Sequence, residues 1–333
     1  MDPVVIVGAG LAGYTVAREF RRQDKKAPLV VVTADGGDYY SKPALSNAIA
    51  QGQAPAALVL NTAEQMAKSL RAEVLTRKAV VSIDRAARRI IWKGGELAYS
   101  KLVLALGSRC NRPPIGGDAA VEMLGVNSLE DYRAFRARLE GARRVVILGA
   151  GLVGCEIAND LAIGGYEPRL VEMATQVLPR LLDAQAAQEL AERLLDAGVA
   201  ITLGARVARI NRAGAVLRVS LEAGETLAAD LVLAATGLVP QAELAAAAGL
   251  VTKRAIVVDS FLRTSDPNIH ALGDCAEVRG RWLPYTEPIR HAARALGATL
   301  AGRPTEVAYP EMPVELKTPA WPLVISSSIP AAA

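Results

Sequence analysis

The succession of apolar and polar positions along the chain predicts its architecture. Val4 to Val7 is an unbroken run of β-branched residues that ends at Gly8. Hydrophobic residues then recur at helical spacing from Tyr14 to Arg22, and Leu29 to Val32 is a second continuous apolar run. Short apolar runs read as buried parallel strands, and the 3.6-residue period reads as an amphipathic helix. The same succession returns further on, from Arg143 to Leu148, through a helical stretch, to Arg169–Val171. Three short alternating segments follow in each copy. They are Val80–Asp84, Arg89–Trp92 and Leu97–Tyr99 in the first, and Val207–Asn211, Val216–Leu221 and Thr226–Leu227 in the second. Such segments predict an antiparallel meander. A last apolar strand closes each copy, Leu102 to Leu106 ending at Gly107, and Leu231 to Ala235 ending at Thr236-Gly237. The predicted fold class is therefore α/β, with two Rossmann-like three-layer ββα units in one chain.

After the second copy the pattern returns to the first unit. Ala255 to Phe261 is strand-like, Thr264 to Cys275 reads TSDPNIHALGDC, and a helix is expected from about Glu287 to Ala301. Its apolar face carries Ile289, Ala292, Ala293, Leu296 and Leu300. From Pro304 the chain is Pro-rich and reads as irregular, with a frayed SSSIPAAA end. The expected division is 1–112 with 240–309, then 113–239, and a short segment, 310–333, too small for its own core.

Each copy carries a complete GxGxxG set between its first strand and its helix: Gly8, Gly10 and Gly13, then Gly149, Gly151 and Gly154. In that setting the first glycine permits a sharp turn and the second lets the backbone approach a pyrophosphate. The third lets helix and strand pack closely. The helix N-terminus, here Leu11 and Ala12, turns free N–H groups toward the phosphates. Two such cradles argue for two dinucleotides, one held and one exchanged. In the second copy Glu172 lies 18 residues after Gly154, near the spacing of an acid that binds ribose hydroxyls and repels a 2′-phosphate. The residues that follow, MATQ, include no Arg or Lys, so NADH is expected over NADPH. In the first copy Thr33 occupies the corresponding place and Asp35 lies two residues on, so either could reach a ribose.

Composition narrows the picture. Of 333 residues, 51% are apolar but only 4% aromatic, so the core is built from Ala, Val, Leu and Ile. A net charge of +4, evenly spread, is too small to argue for nucleic acid and suits an acidic protein partner better. The three cysteines, Cys110, Cys155 and Cys275, are far apart, which excludes a zinc ribbon and a dithiol relay. Unpaired cysteines fit a reducing, cytoplasmic setting. No basic segment followed by an apolar core opens the chain, and no apolar run approaches membrane-spanning length, so a soluble protein is expected.

The two glycine motifs, the ALGDC segment and the YYSKPALS segment together resemble the flavin-dependent pyridine nucleotide–disulfide oxidoreductase superfamily, in particular its rubredoxin reductase and ferredoxin reductase branch. The resemblance implies FAD on the first unit, NADH on the second, and hydride transfer through the flavin to a small iron protein. Rubredoxin is the expected acceptor and ferredoxin the second choice. Relatives usually extend several tens of residues further, so 310–333 reads as a remnant or a truncated interface domain; a monomer or weak dimer is expected.

The resemblance also assigns roles. Asp274 accepts bonds from the ribityl hydroxyls, while Gly107 and Gly273 allow close backbone approach, and Gly237 serves the NADH side. Lys42-Pro43 sits beside the flavin ring, with Glu156 as the lysine's partner carboxylate. The helix opening near Glu287 points its N-terminus at the ring. Arg263, Arg290, Arg294 and Lys317 are expected to form a basic rim. The cysteine pair that the disulfide reductases carry next to the flavin and the single cysteine that the peroxidase branch carries near Ser41 to Ser46 are both missing, and Cys155 reads as a small buried apolar residue. Competing readings are a same-fold enzyme with another acceptor, an NADH-responsive signalling flavoprotein, and a nucleotide-binding scaffold.

Overall fold

The computed structural model describes residues 1–325. Two five-stranded parallel sheets form its two halves, and both are built on the predicted βαβ units. In the first half Val4–Val7 pairs with Leu29–Val32 on one side and Lys101–Leu104 on the other. Glu73–Leu75 and Ile269–Ala271 complete the edges. Helices Leu11–Gln23 and Thr286–Leu300 cover one face, and the meander of Val80–Asp84, Arg89–Trp92 and Gly95–Ala98 adds Ile83 and Ile90 to the same core.

The second half repeats this plan around Arg144–Leu148, flanked by Glu167–Val171 and Leu231–Ala234. Helices Leu129–Leu139, Leu152–Ile163 and Ala184–Asp196 supply one apolar layer, and the meander Val207–Ala213, Val216–Leu221 and Thr226–Ala229 supplies the other. One edge differs between the copies. The second sheet takes its outer strand, Leu124–Gly125, from before its glycine strand, whereas the first takes Ile269–Ala271 from after the second half. The chain crosses between halves on Ser108–Cys110 and returns on Leu238–Pro240, which pair antiparallel.

Two sequence expectations need correction. The strand expected over Ala255 to Phe261 is only Ile256–Val258, pairing in parallel with Ala276–Val278, because the chain turns at Asp259 to Leu262. The region after Pro304 is not wholly irregular: Val314–Leu316 and Leu323–Ile325 form an antiparallel hairpin. Its alternation places Val314 and Leu316 inward and Glu315 outward, which two apolar residues on either side of one charge permit. The SSSIPAAA end lies outside the described residues. Among the described residues no helix is long and apolar enough to cross a membrane.

Candidate functional site

A cleft of about 2110 Å³ opens between the C-terminal ends of the two sheets. That is more than twice the upper range of roughly 1,000 Å³ for a single small-ligand pocket, so it has room for two dinucleotides. From the first half it is lined by Gly8 to Ala12, Thr33, Asp35, Lys42, Pro43, Gly107, Asp274 and Glu287. From the second it is lined by Gly149, Gly151, Glu156, Glu172 and Gly237. Gly13, Gly154 and Gly273 are not among the lining residues, and each is closed in by a neighbour that a Cβ would strike.

The cradles show why glycine is required. Gly8 has φ +117°, and a Cβ there would lie 2.2 Å from the Ala105 carbonyl oxygen. A Cβ on Gly13 would lie 1.8 Å from the Gly8 oxygen, so helix and strand could not meet. The second copy repeats both contacts, 2.6 Å at Gly149 and 2.1 Å at Gly154. Gly10 and Gly151, the N-caps of the two helices, face open space instead. First-turn amides have no carbonyl of their own helix to bond, so each cradle presents donors to an anion in the cleft. This arrangement fits a dinucleotide pyrophosphate at both places.

The acidic residues beyond the second strands differ. Glu172 is bonded at both oxygens, from the Ala150 amide at 2.7 Å and the Ala174 amide at 2.9 Å, which fixes the carboxylate in the cleft lining. In the first half Thr33 Oγ1 donates to Asp35 Oδ1 at 2.7 Å, and the Gly37 amide donates to the same oxygen at 2.9 Å. Thr33 thus orients Asp35 rather than competing with it. Residues 33 and 35 act as one unit.

Lys42 opens a 3₁₀ turn, Lys42–Ser46, and its ammonium lies 3.2 Å from Asp274 Oδ2. Ser108 Oγ donates to that oxygen at 2.8 Å, and Trp282 Nε1 donates to the Asp274 carbonyl at 2.8 Å. The expected Lys42–Glu156 pair is therefore corrected. Glu156 accepts instead from Ser46 Oγ at 2.6 Å and from the Lys317 amide at 3.0 Å. The reason is the direction of the 3₁₀ turn: its first residue abuts Asp274, and its last abuts the helix that carries Glu156. Glu156 is 5% exposed, and burial pushes its carboxyl above the usual range, against the pull of the Ser46 and Lys317 bonds.

Of the expected basic rim, Arg290 and Lys317 line the cleft, and Arg290 is paired with Glu287 at 2.6 Å. Arg294 is exposed on the same helix. Arg263 does not belong to the rim: it is held by Asp259 at 2.9 Å and lies against Phe261. Cys155 is buried with its thiol pushed up to about 12 by burial, so it is inert as a relay. Asp160, Ser108 and Trp282 escaped the sequence reading. Only Asp160 left a trace there, as an acid one helical turn after Glu156.

Comparison with known proteins agrees with this geometry. Residues 2–298 match the family model described as pyridine nucleotide-disulphide oxidoreductase, and residues 306–333 match the rubredoxin binding C-terminal domain. The chain is 47% identical to a rubredoxin-NAD(+) reductase of Alcanivorax borkumensis, over 98% of this chain and 85% of that protein. It is 40% identical to a nitric oxide reductase FlRd-NAD(+) reductase of Aeromonas salmonicida, over 97% and 83%. Among solved structures it resembles a ferredoxin reductase from Rhodopseudomonas palustris, with 32% identity, TM-score 0.86, and 93% and 79% of the two chains covered. It also resembles the covalent putidaredoxin reductase–putidaredoxin complex, with 30% identity, TM-score 0.86, and 95% and 79% coverage. The chain belongs to the pyridine nucleotide-disulphide oxidoreductase family.

Proposed function

We propose that this protein is an FAD-dependent oxidoreductase that takes electrons from NADH and delivers them to rubredoxin. The observation that carries the reading is the pair of glycine cradles facing one cleft, with the Lys42–Asp274 ion pair lining the same cleft and, among the described residues, only free cysteines. Bound FAD supplies the conversion of a two-electron hydride donor into single electrons.

The chain's own residues do the rest. Gly8, Gly10, Leu11 and Ala12 hold the FAD pyrophosphate, and Asp35, oriented by Thr33, takes the adenosine ribose. Asp274 accepts from the ribityl hydroxyls. Lys42 and the N-terminus of the Thr286–Leu300 helix bring positive charge to the ring, where reduction adds electron density. Gly149 and Gly151 hold the NADH pyrophosphate, and Glu172 accepts from its ribose hydroxyls. A 2′-phosphate there would meet a fixed carboxylate.

The choice of rubredoxin is supported by the match over residues 306–333 and by the relatives' names. A ferredoxin is the second reading, favoured by the ferredoxin reductase neighbour. We assign the protein to the cytoplasm, in keeping with a nicotinamide donor and with Cys110, Cys155 and Cys275 all free. Anaerobic mixing of the purified holoprotein with NADH, then with rubredoxin or ferredoxin, tests all of this. Fast bleaching of the flavin followed by fast reoxidation by rubredoxin is expected. A protein that takes up no flavin, or is reoxidised only by ferredoxin, overturns the first choice.

A further inference from the structure

The segment that carries Lys42 belongs by sequence to the first half, yet most of its polar anchors are in the second. Tyr40 Oη accepts from the Leu129 amide at 3.1 Å, and Ser46 Oγ donates to Glu156 at 2.6 Å. Arg136 Nη1 donates to the Gln53 carbonyl at 2.9 Å. Between these lies Asp160, 1% exposed on the Leu152–Ile163 helix. Its Oδ2 accepts from the Ile49 amide at 3.0 Å and its Oδ1 from the Ala50 amide at 2.7 Å. The same helix ends at Gly164, where a Cβ would come within 2.5 Å of Ile49 Cγ2.

Burying a carboxylate is costly unless its oxygens are bonded. Here both are bonded, and both to one short stretch of another unit. An ionised carboxylate offers two acceptor oxygens and no donor, so it can hold two successive amides, one on each oxygen. Glu156 and Asp160 are one helical turn apart. They grip the Lys42 segment at Ser46 and at Ile49–Ala50 like two fingers.

We propose that Asp160 is a positioning residue: by holding the Ile49 and Ala50 amides it fixes Lys42 relative to the NADH-binding half, and so sets the rate of hydride transfer. This rests on the oxidoreductase reading above. A nucleophile–acceptor geometry disturbed by an ångström can cost orders of magnitude in rate, so loosening the anchor is felt at the ring and not in the affinity for NADH.

The test is Asp160→Asn in the holoprotein, which keeps size but turns an amide donor toward amide donors. Hydrogen exchange of peptides covering 41–53 and anaerobic stopped-flow reduction by NADH are measured together. Exchange in the segment is expected to rise, and the limiting reduction rate to fall about tenfold, with the NADH Kd from the same traces unchanged. Arg136→Ala, which releases the Gln53 carbonyl from the half-exposed Leu129–Leu139 helix, is expected to shift both readouts the same way by less. Unchanged exchange in both variants overturns the anchor. Faster exchange with an unchanged limiting rate, or a weakened Kd alone, overturns the link to hydride transfer. A wild-type protein that NADH does not reduce ends the oxidoreductase reading and the rate claim together, while the exchange arm still decides whether Asp160 anchors the segment.

Discussion

Lys42 and Asp274 stand 232 positions apart in the chain and 3.2 Å apart in space. Each was identifiable from its motif, YYSKPALS or ALGDC, but their adjacency was not, because it depends on how the first sheet receives its last strand. Replacing Lys42 by Met keeps the aliphatic stem and removes the charge. The expected result is flavin reduction slowed by about tenfold or more, with bound FAD retained, measured by anaerobic stopped-flow. A second residue, His270, bears on stability. His270 is 2% exposed, and burial, aided by the charge of Lys101, holds its imidazole down to about 4. Above an ordinary value near 6.5 the histidine is neutral in both folded and unfolded chains. Between 6.5 and about 4 only the unfolded chain takes up a proton, so stability falls as pH falls through that window, by up to about 3 kcal/mol. Urea titrations at pH 7 and pH 4.5 check this: the loss on acidification should be smaller in His270→Leu than in the wild type.

At the scale of elements, the two βαβ units were legible nearly to the residue. Leu29–Val32 is a strand as read, and the helix expected from Tyr14 begins at Leu11, directly after Gly10. A continuous β-branched run between a glycine turn and an amphipathic helix has few other solutions. The packing of helix on helix was less visible. Gly297 sits where the Thr286–Leu300 helix crosses Leu11–Gln23, and a Cβ there would lie 2.7 Å from the Glu19 backbone. Gly297→Leu is expected to force the helices apart and destabilise the protein by about 1–3 kcal/mol, seen as a lower Tm with the same fold by circular dichroism. The C-terminal hairpin was missed for a related reason. Its strands span only three residues each, too few for a period to emerge, and the partner surface makes them strands.

For the whole molecule, the cleft exists because two copies of one unit face each other and are tied at three places. The crossing strands Ser108–Cys110 and Leu238–Pro240 form one tie. The Lys42 segment, gripped by the Leu152–Ile163 helix, forms the second. The C-terminal hairpin forms the third, giving the Lys317 amide to Glu156 and the Ala320 amide to Asn159 at 3.1 Å, while Leu316 joins the core of the second half. Ending the chain at residue 305 removes these bonds and exposes what Met312, Val314, Leu316 and Ile325 cover. At about 1.5 kcal/mol or more for each buried side chain, a loss of several kcal/mol is expected. Thermal unfolding and the flavin content of the purified truncated protein measure it. Full stability and full flavin content in that protein would refute the third tie.

Sequence alone determined the units: which strands are buried, where a glycine is required between strand and helix, and that an acid rather than a base, Glu172, follows the second strand of the second unit. These are local properties, set by side-chain shape and spacing within some 30 residues of chain. Tertiary structure alone decided which charges meet. Lys42 pairs with Asp274 and not Glu156, Glu156 serves Ser46 and the hairpin, and Asp160 binds a loop from the other half. Such pairings depend on the relative placement of two separately built sheets, and no period or motif in either one encodes that placement.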